Sequence, residues 1–135
     1  MTANGFMSVS LIPPLVLVAL GNHTRMHQHL SQSMRYGISI LNEAQEDLSR
    51  LFAGRANPSL EIPFIKQHNM SLIDGALAHL VAKVVNIYQA GDHTLYIAEV
   101  EHLNYQDGLP LLYYGGAYQH LQTIHVHEYE IPGFL

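Results

Sequence analysis

The chain has 135 residues, of which 48% are apolar, and it carries a formal net charge of −5 with only six lysines and arginines. This length suits one domain with a single hydrophobic core, and so few cations give no surface that would gather the phosphates of a nucleic acid. The sequence contains no cysteine, which excludes disulfide bonds, thiolate catalysis and cysteine-based metal sites. We therefore expect no nucleic-acid partner.

No segment has the apolar length of a membrane helix. The longest apolar run, residues 15–20, is far shorter than the roughly 20 residues that a membrane span requires. Residues 1–6 lack the basic start of a signal peptide. These features predict a cytoplasmic protein with no membrane partner.

The first part of the chain predicts two strands, a helix and a third strand. Residues 8–11 are typical of a strand that ends at a Pro-Pro pair, and residues 15–20 form an apolar run of the kind buried on both faces of a sheet. Residues 24–33 can form a short helix, and residues 36–41 predict the next strand.

The clearest helix begins after Asn42. This residue can cap it, Gln45 stands where a capping box requires it, and apolar residues recur at helical spacing up to Phe52. Gly54 is expected to end the helix. Residues 58–69 then predict an irregular loop, and long loops in compact domains are often binding loops.

Two long β-rich runs follow this loop. Residues 77–88 and 94–103, joined by residues 89–93, predict a hairpin with apolar residues on both faces of each arm. Such a strand pair must be covered twice, once by the domain's own core and once by something else. A partner subunit is the simplest second cover, so we expect a homodimer.

The predicted order is strand, strand, helix, strand, helix, hairpin, strand, with the last strand at residues 111–114. This order predicts a mainly β fold, a small barrel with helices packed on its outside. We expect one domain at residues 1–121 and a polar C-terminal tail at residues 122–135.

Several segments, in order along nearly the whole chain, resemble the flavin reductase family, the small components of two-component flavin-dependent monooxygenases. The first, MTANGFMSVSLIPPLVLVAL, is similar to the family's flavin-binding segment, which has the pattern TAN-S-F-x-SVSL-x-PPL followed by a strand. The resemblance continues through residues 36–41 and the second helix. It then covers LIDGALAHL, GDHTLYIAEV and PLLYYGGAY.

The resemblance implies an FMN-binding split β-barrel that is usually a homodimer. It implies an NAD(P)H:flavin oxidoreductase, in which NADH or NADPH reduces FMN or FAD and the reduced flavin passes to a partner oxygenase. Direct hydride transfer asks the protein to hold two flat rings face to face and to exclude water, without a nucleophile or a metal. The alternative is a non-catalytic flavin-binding or dimerisation module.

Family members carry residues before the TAN segment that form the first strand or strands of the barrel. The resemblance therefore implies that this chain lacks those strands, which leaves an open sheet edge that invites association. A late start codon, a fragment and a partner chain that fills the gap are three competing explanations. Under the alternative function, the short N-terminus has disabled the enzyme.

At the N-terminus, the resemblance implies contacts with the flavin ring from the TAN segment and the strand that follows it. Small residues and exposed N–H groups allow close approach to a planar ligand. Without the resemblance, this segment reads as an ordinary strand start. The implied flavin-binding residues are Thr2, Ala3, Asn4, Gly5, Phe6, Ser8 and Val9.

A polar cluster formed by Asn22, His23 and Thr24 stands where the family contacts the ribityl chain and phosphate of the flavin. A hydroxyl and backbone N–H groups at a helix start suit a phosphate. From the residues alone, Thr24 is an ordinary helix N-cap.

The end of the second helix is also implied to reach the flavin tail. Phe52 and Ala53 match the family's pair at this place, and Arg55 adds a contact with a phosphate or adenosine. An arginine at a helix end is more often only a favourable contact with the helix dipole.

Gly91, Asp92 and His93 look like the GDH signature of the family, whose histidine points into the nicotinamide side of the flavin pocket. An imidazole there can donate to the carboxamide or stack on the ring, so His93 is the implied catalytic residue. Tyr118 is a further candidate for the nicotinamide site. A lone GDH would be a plain hairpin turn with an exposed histidine.

Two His-x-His pairs, His27 with His29 and His125 with His127, raise the alternative of a metal site. On a strand such residues share a face roughly 7 Å apart, which allows chelation. No third ligand stands at a persuasive sequence distance, so we predict no metal.

Overall fold

The computed structural model describes residues 1–122, which form nine strands, two α-helices and a short 3-10 turn. The strands are β1 (Phe6–Leu11), β2 (Pro14–Gly21), β3 (Arg35–Ile40), β4 (Phe64–Gln67), β5 (Met70–Ile73), β6 (Ala78–Ala90), β7 (His93–Tyr105), β8 (Leu112–Tyr114) and β9 (Ala117–Gln119). The helices are α1 (Arg25–Ser33) and α2 (Glu46–Phe52). The predicted mainly β fold with flanking helices is confirmed.

Five strands form one antiparallel sheet in the order β1-β2-β7-β6-β3. At its centre lie β6 and β7, each 13 residues long. They form the predicted hairpin, which is confirmed. The two-residue turn between them has Gly91 at φ 61°, in the left-handed region that glycine enters without steric cost. Because Gly21 pairs with His93 at the end of the β2–β7 ladder, the turn lies beside the end of β2.

The hydrophobic core lies against one face of this sheet, where α1 contributes Leu30. In β2, side chains are alternately buried and half-buried, so the prediction that residues 15–20 are buried on both faces is wrong. The half-buried side chains face away from the core, where the described residues cover them only in part. The buried core residues are Val16, Val18, Leu20, Leu30, Tyr36, Leu80, Ala82, Val84, Tyr96 and Ala98.

The prediction of an irregular loop at residues 58–69 is wrong for its second half. β4 and β5 form a hairpin, and the turn residues His68 and Asn69 have φ values of 49° and 62°. Histidine and asparagine are the non-glycine residues that enter this region most readily, so no glycine marks the turn. The N–H of Ile73 donates to Oγ of Ser39 at 2.9 Å, which joins this hairpin to β3.

The helix expected after Asn42 starts with a 3-10 turn and becomes α-helical at Glu46. The predicted capping box is confirmed: the Asn42 side chain accepts from the N–H of Ala44 at 2.8 Å, and the Gln45 side chain accepts from the N–H of Asn42 at 3.1 Å. Gly54 follows α2 with φ 93°. In the part of the chain that the structure describes, no helix is long and apolar enough to cross a membrane.

The last predicted strand is confirmed as β8 and turns back into β9 through Gly115 and Gly116. Both glycines have positive φ, at 61° and 80°, as a tight hairpin turn requires. Residues 123–135 lie outside the described residues, so the boundary between domain and tail stays a prediction.

Candidate functional site

A cleft of about 260 Å³ opens beside the turn between β6 and β7. Three parts of the chain enclose it: the first residues, the corner between β2 and α1, and His93. Most of its lining was predicted, whereas Met1, Ala19 and Gly21 were not, because nothing in their local pattern marks them. The lining residues are Met1, Thr2, Ala3, Asn4, Gly5, Ala19, Gly21, His23, Thr24 and His93.

The N-terminal wall of the cleft is held at both of its ends. The N–H of Ala19 donates to the carbonyl of Gly5 at 2.7 Å, and the N–H of Thr2 donates to the carbonyl of Phe52 at 3.1 Å. A Cβ atom on Gly5 would lie only 3.2 Å from the Cβ of Ala19, so glycine permits this close approach of the wall to β2. The wall is therefore a defined surface although most of it is exposed.

The corner between β2 and α1 places His23 and Thr24 in the cleft. Thr24 is the N-cap of α1: its hydroxyl accepts from the N–H of His27 at 3.2 Å and donates to the carbonyl of Gly21 at 2.8 Å. The hydroxyl is thus already engaged, while its backbone lies at a positive helix end where an anion is favoured. The predicted role of Thr24 as the N-cap of a helix is confirmed, and its contact with a flavin phosphate stays a prediction.

His93 reaches the cleft from the hairpin turn, with its side chain about half exposed. Its Nδ1 lies 2.7 Å from Oδ1 of Asp92. The hydrogen bond from His93, and then its charge, lower the pKa of Asp92 from its usual value, so Asp92 is a carboxylate at neutral pH. A carboxylate only accepts hydrogen bonds, so Nδ1 of His93 carries a proton and Nε2 is left for a ligand.

A larger concavity, about 450 Å³, lies elsewhere on β6 and β7. None of the predicted site residues lines it. Its lining residues are Lys83, Val85, Glu99, Val100 and Glu101. We place the candidate site in the smaller cleft because that cleft unites three distant parts of the chain around a histidine, whereas the larger one is the surface of a single hairpin.

Several predicted residues do not line the cleft. On β1, Phe6 packs against the core, and Ser8 and Val9 are exposed. At the turn, Gly91 and Asp92 are not in the lining of the cleft, and the Asp92 carboxylate contacts His93 from outside the lining. Flavin contacts by these residues stay predictions.

The end of α2 and the β8–β9 hairpin form a neighbouring cluster outside the cleft. The Phe52 ring meets the ring of Phe64 edge-on, with centroids 6.3 Å apart, and Ala53 and Arg55 are exposed. The guanidinium of Arg50 lies 4.7 Å above the ring of Tyr118. Roles for Phe52, Ala53, Arg55 and Tyr118 in binding therefore stay predictions.

His27 and His29 lie on α1, in the helix predicted at residues 24–33, and residues two apart on a helix do not face each other as they would on a strand. His27 is instead 2.8 Å from the Tyr96 hydroxyl through Nδ1. His125 and His127 lie outside the described residues. Within residues 1–122, no group of three or more histidine and acidic side chains is arranged to hold a metal.

Residues 1–122 match the family model of the flavin reductase like domain. The chain belongs to the flavin reductase family. An NADH-dependent flavin reductase of Rhodococcus is 44% identical over 92% of this chain and 70% of its own length. The reductase component of 4-hydroxyphenylacetate 3-monooxygenase from Thermus thermophilus is 34% identical over 90% of this chain and 78% of its own length.

Among solved structures, the flavin reductase PheA2 in its native state superposes on this family member with a TM-score of 0.88 at 42% identity. The match covers 91% of this chain and 80% of that one. The expected flavin reductase-like split-barrel fold is confirmed.

Proposed function

We propose that this chain is an NADH-dependent flavin reductase that reduces FMN or FAD in the cleft between its N-terminal wall and His93. One observation carries the proposal: the TAN segment at residues 2–4 and the GDH histidine, His93, are far apart in sequence and border the same cleft. The names of the similar proteins support the same activity.

The cleft suits a flat ring. Its floor and wall carry small side chains at Ala3, Gly5, Ala19 and Gly21, which allow a planar group to approach the backbone. Polar side chains line the rest of it, on Thr2, Asn4, His23, Thr24 and His93. A ligand pocket of this kind combines a mostly smooth lining with a few oriented polar groups.

When both cofactors are bound, a hydride passes directly from the nicotinamide ring to the flavin ring, so NADH is oxidised as the flavin is reduced. The protein contributes by orienting the two rings relative to each other. The wall at Thr2, Ala3 and Asn4 holds one face of the flavin, and His93 on the other side positions the nicotinamide with its Nε2 atom. Holding two reactants at contact distance accounts for a large part of the rate in such reactions.

The remaining predicted residues receive peripheral roles in this proposal. His23 and Thr24 stand at the start of α1 for the phosphate. The more distant contacts, along β1, at the end of α2 and on β9, are assigned to the rest of the nucleotides. They are Phe6, Ser8, Val9, Phe52, Ala53, Arg55 and Tyr118.

We further propose that two copies of the chain associate and that the reduced flavin serves a separate oxygenase. The β6–β7 hairpin leaves several large apolar side chains exposed, and apolar side chains left to water favour association. They are Val85, Ile87, Tyr88, Leu103 and Tyr105. Sedimentation at micromolar concentration should give twice the chain mass of 15.1 kDa. A single-chain mass would refute the dimer.

The activity is tested by mixing the protein with NADH and either FMN or FAD and following the absorbance of NADH. Rapid loss that depends on added flavin is the expected result, with NADPH as the comparison donor. No acceleration with either donor and either flavin would refute the enzyme. Only the non-catalytic flavin-binding or dimerisation module would then remain.

A further inference from the structure

Asn22 lies between the corner after β2 and the β6–β7 turn, but it does not line the cleft. Its backbone N–H donates to the carbonyl of Asp92 at 2.9 Å, and its Nδ2 donates to the carbonyl of Gly91 at 3.4 Å. Its Oδ1 accepts from the hydroxyl of Thr94 at 2.7 Å. The whole polar part of Asn22 is therefore directed at the β6–β7 turn.

Thr94 makes the shortest of these contacts, and it does so from a buried position. The residue is 2% exposed, and its hydroxyl donates to Asn22, 72 residues away in sequence. A buried hydroxyl without a partner costs free energy, so burial of Thr94 depends on the amide of Asn22. The next residue along β7 in the direction of the turn is His93.

These contacts join two segments that each contribute a histidine to the cleft. Asn22 precedes His23 at the corner after β2, and Thr94 follows His93 at the start of β7. The side chains of Asp92 and His93 are exposed, so among the described residues the buried hydroxyl of Thr94 is the nearest buried side-chain group that ties this end of the hairpin to the corner. The β2–β7 ladder brings the corner next to His93, where Gly21 and His93 are paired. The Asn22–Thr94 pair adds a side-chain link between the corner and the residue that follows His93.

We infer that Asn22 and Thr94 are positioning residues that hold His93 at its place in the cleft, and that Asn22 acts through the turn and not by touching the flavin. The inference rests on the proposed function, because it assigns His93 to the nicotinamide side. It differs from the prediction that Asn22 contacts the ribityl chain or phosphate. A substitution of Thr94 breaks the hydrogen bond between Thr94 and Asn22 but leaves the Asn22 side chain in place, so it distinguishes the two roles.

Thr94→Val removes the buried hydroxyl at nearly constant shape and lies outside the cleft, whereas Asn22→Ala removes the amide. Each variant should raise the KM for NADH about fivefold, the effect of one hydrogen bond, while the flavin Kd stays within about twofold of wild type. The double variant should be no worse than the poorer single one, because both changes break one contact. Thr94→Ser keeps the hydroxyl and should restore the wild-type KM.

A second measurement does not depend on turnover. The imidazole resonances of His93 in the ligand-free protein, assigned with His93→Gln, should shift in Thr94→Val and not in Thr94→Ser. Unshifted resonances in Thr94→Val would overturn the inference whether or not the protein is an enzyme. An inactive wild type with shifted resonances would instead refute the proposed function and leave the positioning of His93 standing.

Two kinetic outcomes would also overturn the inference. One is a loss of flavin affinity in Asn22→Ala with every parameter of Thr94→Val at the wild-type value, which would make Asn22 a direct flavin contact. The other is a lower melting temperature in both variants with unchanged KM and kcat, which would make the pair purely structural.

Discussion

The hydroxyl of Thr2 donates to the backbone carbonyl of Ser49 at 2.6 Å. Ser49 is 4% exposed, and its own hydroxyl lies 2.8 Å from the hydroxyl of Tyr118 on β9. The last turn of α2 therefore holds the N-terminal wall of the cleft on one side and the β8–β9 hairpin on the other. The position of the wall depends on a contact between residues 47 apart in sequence.

Thr2→Val should weaken flavin binding about fivefold, because it removes this donor and frees the start of the wall. Titration of flavin fluorescence against the protein measures the effect. Thr2→Ser retains the hydroxyl and should bind as wild type does, and Ser31→Ala, at an exposed position on α1, is the control for an unrelated hydroxyl. Equal flavin affinity of the valine and serine variants would contradict the prediction.

His93→Ala should raise the KM for NADH about tenfold, equivalent to about 1.4 kcal/mol, and change the flavin Kd much less. The reason is that Nε2 of His93 is the polar group that the hairpin brings to the proposed nicotinamide side. Steady-state kinetics with varied NADH, together with flavin titration, give both constants. His29→Ala, on the exposed face of α1, is the matched control. An unchanged KM would mean that His93 is only an exposed residue of the hairpin turn and does not contact the nicotinamide.

Gly91→Val should lower the free energy of unfolding by about 1–2 kcal/mol, since a branched residue is strained at φ 61°. A Cβ atom there meets no atom within 4 Å, so we expect the cost to be conformational and not a clash. Gly91→Asn should cost less, because asparagine enters the left-handed region more readily. Urea unfolding of the two variants compares them, and equal losses would show that the φ angle is not the cause.

The stability of the protein should fall as the pH rises from about 10 to about 12. Burial raises the pKa of Tyr36 to about 12, whereas an unfolded tyrosine ionises near 10. The stabilising contribution is complete below about pH 10 and is lost as the pH approaches the folded pKa. Tyr36→Phe should show a smaller loss of unfolding free energy between pH 9 and about 11. A loss equal to that of wild type, or of the exposed control Tyr105→Phe, would contradict this assignment.

Local features of the sequence predicted local features of the fold. The capping box at Asn42 and Gln45 and the turn at Gly91 are decided by neighbouring residues, and all were predicted correctly. The hairpin of β4 and β5 was missed because its turn at His68 and Asn69 lacks the glycine that normally marks a left-handed pair. The predicted burial of both faces of β2 was wrong because burial depends on what packs there, which its own apolar run does not specify.

The sequence by itself determined most of the elements, though not β4, β5 and β9, and its motifs, read together in order, determined the family. Only the tertiary structure decided that Thr2, Thr24 and His93 border one cleft, and that Asn22 faces the turn and not the cleft. The physical reason is that hydrogen-bond partners such as Asn22 and Thr94 are 72 residues apart. Which donor meets which acceptor at that separation is settled by strand pairing and packing and not by local spacing.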